Sequence, residues 1–247
     1  MTAPETRRPR TPRRKPTARP TLPATLLEEP VCAHCGKPEA LCVCDAIEPI
    51  NNKIELLVLQ HPQEQDKTLG TARVAVTHLA KATFRIGLSW PSLSAALERD
   101  VDPKRWAVLH LGASASEDAP ADRDIALLDR HGELAENQAS ALRGLEGIIL
   151  FDGSWSQAKT LWWRNAWVLK CPRLVLRPTQ ASLYGKLRKE PRREGLSTLE
   201  AAAFTLSRLE RKPDIEKAML STFRRMLQRY RSALEPQGGK QDSKPAA

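Results

Sequence analysis

Short, continuous apolar runs separated by amphipathic stretches set the pattern of this chain from about residue 53 onward. I-E-L-L-V-L at 54–59, W-A-V-L-H-L at 106–111, G-I-I-L-F at 147–151 and a shorter L-V-L at 174–176 read as buried strands. Runs of this kind lack the alternation of a half-solvated sheet and suit strands covered on both faces. Between and after them the period changes. Leu69, Ala72, Val76, Leu79 and Ala80 predict a helix over 68–80, and a further helix is expected over 157–163. Near the end, Ser197 and Glu200 stand at N-cap and N3 of a reciprocal capping box whose helical body runs through 201–206. Ile215, Met219, Phe223, Met226, Leu227 and Tyr230 then form one apolar stripe over 214–234. Strands alternating with helices predict an α/β fold with a mostly parallel sheet flanked by helices.

Composition changes this picture at both ends. Residues 1–30 are dominated by Pro, Arg and Thr, with little to bury, and read as a disordered basic arm. Residues 236–247 read as a disordered polar tail. The expected organisation is therefore the arm at 1–30, a cysteine module at 31–50, a catalytic domain at 51–235 and the tail. No apolar run approaches the length needed to span a bilayer, and the start lacks the apolar core of a secretory leader. A cytoplasmic protein with no membrane partner is expected. The formal net charge of +10 favours a polyanionic partner. Its cations concentrate in two blocks. The arm holds Arg7, Arg8, Arg10, Arg13, Arg14, Lys15 and Arg19 against Glu5. The second block holds Arg173, Arg177, Lys186, Arg188, Lys189, Arg192 and Arg193 against Glu190. Nucleic-acid contact is the expected role of the second block.

Four cysteines crowd into one short segment, C-A-H-C at Cys32 to Cys35 and C-V-C at Cys42 to Cys44. A tight C-x-x-C turn presents two thiolates to one ion, and four thiolates close a tetrahedron with no open position. A structural zinc site on Cys32, Cys35, Cys42 and Cys44 is expected. Cys171 reads as a small buried apolar residue.

Three further segments carry candidate chemistry. Gln60, His61 and Glu64 follow the first strand, where α/β sheets bind ligands. Asp152 leaves the strand 147–151 and precedes Gly153, Ser154 and Trp155. It is either the N-cap of the next helix or a catalytic or ligand-orienting carboxylate. The tryptophans at 155, 162, 163 and 167 have helical spacing and are expected mostly in the core. Finally S-L-Y-G-K-L-R-K-E-P from Ser182 runs into L-S-T-L-E, placing cations before a helix start whose amides can hold an anion.

In order and spacing, the cysteine cluster, L-Q-H-P-Q-E, D-G-S-W, Y-G-K-L-R-K-E-P and L-S-T-L-E-A together resemble the DTW-domain family over residues 31–210. Ser154 stands where the family signature has Thr; its hydroxyl is retained. The resemblance implies a SPOUT-related core with a trefoil knot. It implies transfer of the 3-amino-3-carboxypropyl group of S-adenosylmethionine to N3 of a tRNA uridine. It makes Asp152 the catalytic candidate, and Gln60, His61, Ser154, Trp155, Arg188, Ser197, Thr198 and Glu200 the candidates for holding the donor. Arg177, Tyr184, Lys186, Lys189, Arg192 and Arg193 become the candidates for RNA. An RNA methyltransferase using the same donor, or a non-catalytic zinc-ribbon RNA-binding protein, are the alternative readings. The oligomeric state is not legible.

Overall fold

A computed structural model describes residues 22, 23, 26, 28–65, 67–111, 124–178, 180–187 and 195–234. The basic arm, apart from a few positions near its end, and the polar tail lie outside the described residues. So do Arg188, Lys189, Arg192 and Arg193, and of Lys186 only the backbone is described.

Six strands form one sheet: β1 (Glu55–Gln60), β2 (Ala82–Ile86), β3 (Trp106–Leu111), β4 (Ile125–Leu128), β5 (Gly147–Asp152) and β6 (Arg173–Leu176). Their order is β2-β1-β5-β3-β6-β4, and every neighbouring pair is parallel except β4 with β6. The helices are α1 (Ala72–Thr77), α2 (Leu93–Leu97), α3 (Gln138–Arg143), α4 (Trp155–Arg164), α5 (Thr198–Glu210) and α6 (Pro213–Leu234). The expected α/β architecture with a mostly parallel sheet is present.

Period-two geometry sends alternate side chains of each central strand to opposite faces. Leu56, Val58, Ala107, Leu109, Ile148 and Leu150 enter one core with α1, α5 and α6. Leu57, Leu59, Val108 and Ile149 enter a second core with α2 and the turn carrying Trp167 and Val168. Both faces are therefore apolar, which is why the runs at 54–59, 106–111 and 147–151 are continuous. Gly147 is set by one contact: a Cβ there would come within 2.4 Å of the fully buried Trp106 ring. Without a side chain at 147 the indole lies directly against the backbone of β5.

Five elements differ from expectation, counting α2 and α3, which the pattern does not predict. The helix expected over 68–80 occupies only Ala72–Thr77. The backbone ahead of it is committed to tertiary bonds: the carbonyl of Lys67 accepts from Lys37 Nζ at 3.0 Å, and that of Leu69 accepts from the Tyr184 hydroxyl at 2.5 Å. β2 (A-T-F-R-I) went unread because it is an edge strand whose residues are all half-buried. β4, on the other edge, pairs antiparallel.

The chain order decides where a site can form. β5 inserts between β1 and β3, both of which precede it. β3 keeps register with β5 only from Trp106↔Gly147 to Val108↔Ile149 and then pairs with β6. The last residues of β5 are therefore paired with β1 alone. A crevice at the carboxyl ends of strands, where the strand order reverses, is the usual ligand position in open α/β sheets.

Candidate active site

Asp152 ends β5 at this crevice, half-buried, in register with Gln60 at the end of β1. It is not the cap of the following helix. Ser154 is the N-cap of α4: its hydroxyl accepts from Gln157 N, and Gln157 Oε1 accepts from Ser154 N at 2.6 Å. The carboxylate is thus released from local work and is held by distant residues. Gln60 Nε2 donates to Oδ2 at 2.8 Å, and the Thr198 hydroxyl donates to Oδ1. The backbone oxygen of Asp152 accepts from His61 N at 2.9 Å. Three segments far apart in sequence thus meet at one residue. Each carboxylate oxygen still has a lone pair open to a ligand.

Gln60 is 4 % exposed, and its Oε1 has no hydrogen-bond partner among the described residues. A buried acceptor left so beside a carboxylate suits a site completed by a donor from a ligand. His61 caps the short 3-10 helix Pro62–Glu64 through Nδ1, which accepts from Gln63 N at 3.2 Å. With Nδ1 accepting, the neutral ring carries its proton on Nε2. Gly153 is needed where these segments converge, since a Cβ there would lie 2.9 Å from Gln157 Cβ and 3.5 Å from His61 Cβ.

The start of α5 is built by its own capping box, as its sequence predicts. Glu200, 1 % exposed, does more than cap: it accepts from Ser197 N at 2.8 Å, Ser182 Oγ at 2.7 Å and Leu183 N at 2.7 Å. It thereby binds the 182–184 segment to the helix start. Glu200 and Ser197 are spent on this scaffold and Thr198 is the residue presented to Asp152. Leu199 N donates to Thr71 Oγ1 and Glu200 N to Ser197 Oγ. Two of the amides expected to seat an anion here are already satisfied by the protein.

Other candidates lie elsewhere. Tyr184 is 2 % exposed and packs edge-on against Phe223 at 5.0 Å. Arg177 follows β6, half-buried, with its N–H donating to the Asp124 carbonyl. Trp155 opens α4, half-buried. Trp163 departs from the expected tryptophan core: it is 80 % exposed, whereas Trp167 is buried. On β3, burial and the Arg173 charge lower the His110 pKa, so this ring at the parting of β3 and β5 is neutral at physiological pH.

One residue of the site environment was not foreseen. Lys37, inside the cysteine segment, is 5 % exposed. Burial brings its ammonium down to about 8, the charges of Cys35 and Asp152 pull it upward, and Arg73 adds to the drop. The cysteine module therefore supplies a cation whose field reaches Asp152. Nothing in C-G-K-P distinguishes this lysine from a solvated one; only the docking of the module buries it.

The four cysteine Sγ atoms lie within 4.8 Å of one another, with Cys32 to Cys44 at 3.8 Å and Cys35 to Cys42 at 3.7 Å. A tetrahedron with metal–sulfur bonds of about 2.3 Å has edges of about 3.8 Å, so the cluster is nearly a finished thiolate site. Gly36, at φ 66°, makes the turn of the first pair. Backbone amides of Cys35 and His34 hold the Cys32 thiol down to about 6, while burial pushes Cys35 up to about 11. A divalent cation at the centre would favour all four thiolates. The module is docked on the core through Cys35 and Val43, and Asp45 pairs with Arg225 and Arg229 of α6.

The DTW domain matches residues 29–231. The tRNA-uridine aminocarboxypropyltransferase 2 of Mus musculus is 28 % identical over 201 residues, covering 77 % of this chain and 60 % of the mouse protein. That of Macaca fascicularis is 29 % identical over 200 residues, with 77 % and 60 % covered. The Drosophila melanogaster protein of the same name is 27 % identical over 195 residues, with 76 % and 70 % covered. The match thus spans about three fifths of the mouse and macaque proteins. No solved structure matches. Among the described residues no helix is long and apolar enough to cross a membrane.

Proposed function

This chain belongs to the DTW-domain family, and from that premise we propose that it transfers the 3-amino-3-carboxypropyl group of S-adenosylmethionine to N3 of a uridine in tRNA. The observation that carries the reading is the convergence on Asp152 of the early motif (Gln60 on the carboxylate, His61 on the backbone oxygen) and the late motif (Thr198 on the carboxylate), at the head of D-G-S-W. The names of the mouse, macaque and fly relatives support the same reaction. The SPOUT-related knot, the cytoplasmic location and the four-part domain organisation are part of the same proposal.

In this reaction uridine N3 forms a bond to the γ-methylene of the donor, the bond from that carbon to sulfur breaks, and neutral methylthioadenosine leaves. The N3 proton is lost to a base. The methyl carbon of the sulfonium is less hindered than the γ-methylene, so the protein must select by position, aligning one carbon and turning the other away. Asp152, fixed on both oxygens, is suited to accept or orient the N3 proton. Its negative charge also favours the sulfonium in the ground state, and it can serve the transition state only if placed toward the developing positive charge at the reacting carbon. The donor's own carboxylate needs a cation. Arg188 fits by motif.

Incubating the purified chain with unmodified tRNA and the donor, then digesting to nucleosides, distinguishes the readings by mass. The transferase adds about 101 Da to uridine and a methyltransferase about 14 Da, from the composition of the groups the donor carries. An unchanged nucleoside pool excludes both.

The cysteine module would hold one zinc ion in a closed, structural role, through Cys32, Cys35, Cys42 and Cys44. The purified protein is expected to contain one metal per chain by elemental analysis. Cys42→Ser is expected to lose that metal and to destabilise the fold by several kcal/mol, because structural metal binding is folding free energy. Full metal loading in the serine variant would refute the assignment.

A further inference from the structure

The helix that leaves Asp152 carries an outer face that the transfer chemistry does not use. Ser156, Lys159 and Trp163 lie along it and are all exposed, Trp163 by 80 %. Leu169, just beyond the helix, is 54 % exposed. Single exposed apolar residues are ordinary on a protein surface, so Trp163 alone decides nothing. Its electrostatic setting does. From Gly153 to Lys189 every charged residue in the sequence is a cation. Lys159, Arg164 and Lys170 surround the indole in sequence, all exposed, and none forms an ion pair with a carboxylate among the described residues. Elsewhere among the described residues some surface cations are neutralised, as in Arg85–Glu98, Arg99–Glu55 and Arg105–Glu146, and others such as Lys53 and Arg224 are not; this stretch is set apart by having no carboxylate of its own in the sequence.

The helix that carries this face also packs against the strand that ends in Asp152. Trp162 sets its ring edge-on to Phe151, the residue before Asp152, with centroids 6.2 Å apart. Asn165, at the end of α4, accepts from Trp90 N at 2.8 Å and donates to the Leu88 carbonyl at 3.1 Å. That loop leaves the carboxyl end of β2, so α4 ends near the edge of the sheet that holds Asp152. Eight residues of helix separate Trp155 from Trp163, about 12 Å of rise.

An exposed indole among unneutralised cations is the combination by which proteins hold unpaired nucleotides, the ring stacking on a base and the cations tracking the phosphates. A second copy of this chain would be a poor occupant, because a two-fold contact sets the same cations against each other. We propose that Trp163, with Lys159, Arg164 and Lys170, is a stacking platform for an unpaired base of the RNA substrate. This rests on the reading that the chain acts on tRNA, and it assigns the RNA a contact on α4 in addition to the basic segment at 173–193.

The test uses the full chain and an unmodified tRNA transcript. Trp163→Ala is expected to weaken binding about 5- to 150-fold, the range of one base–aromatic stack. KM for tRNA should rise while kcat stays within about twofold. Trp163→Phe should recover most of the affinity, and Lys159→Ala should lower the salt slope by about 1. A thermal melt of each variant confirms the fold. If Trp163→Ala binds and turns over tRNA like the wild type, the platform is refuted and the transferase reading stands. A shift in oligomeric state by light scattering with unchanged RNA affinity also refutes it, in favour of a contact between copies. If the wild type neither binds nor modifies tRNA, the transferase reading fails and the platform fails with it.

Discussion

Asp152→Asn is expected to lower kcat by about 10²- to 10⁴-fold, the span of a positioned acid–base or electrostatic group, while leaving the fold intact. Asparagine has nearly the same volume, so the crevice is not emptied. It offers one acceptor and one donor in place of two acceptors. The donor end would face either Gln60 or Thr198. The Thr198 hydroxyl can rotate to accept, and Gln60 can turn its amide to present Oε1, the atom that now has no partner. The hydrogen bonds can therefore be rebuilt and the charge alone is removed. Measuring kcat and KM separately on tRNA, with a melt as control, isolates that charge. An Asn variant within about threefold of wild-type kcat would remove Asp152 from the chemistry.

Glu200→Ala is expected to cost about 3–5 kcal/mol of stability, because three donors lose the buried acceptor they share among the described residues. For a chain of this size that corresponds to a drop in Tm of roughly 10 °C. The loss is local as well as global. Without Glu200 the 182–184 segment is no longer tied to the start of α5, and Thr198 loses the frame that aims it at Asp152. Activity should therefore fall before the protein melts. Glu200→Gln keeps the volume and one acceptor, and Ser182 can reverse its hydroxyl to suit; about half the stability loss is expected. If Glu200→Ala melts within about 2 °C of the wild type, the carboxyl is not holding these segments together.

The same two residues show how unevenly function can be read from a sequence. The capping pair Ser197 and Glu200 was legible at a spacing of three, since a cap is a local device. The further bonds from Glu200 to Ser182 and Leu183 were not, since they join positions 17 and 18 residues apart in the chain. For Asp152, local pattern left two readings level. The tie was broken by Ser154, which takes the cap, and by Gln60 and Thr198, which arrive from 92 and 46 residues away. Lys37 was invisible for the same reason, its burial depending on the Lys67 turn folding over it.

The linear chain by itself determined what depends on neighbours along it: four strands from their apolar runs, the long amphipathic α6, the capping box of α5 and the grouping of four thiols within one short loop. Only the tertiary structure decided what depends on chain crossing. That includes the insertion of β5 between β1 and β3, the half-polar edge strand β2, and the antiparallel β4. It also includes the burial of Lys37 and the outward turn of Trp163. Periodicity records which face of an element is apolar, but the partner that covers it is set by the competition of all possible packings, and that competition has no local trace.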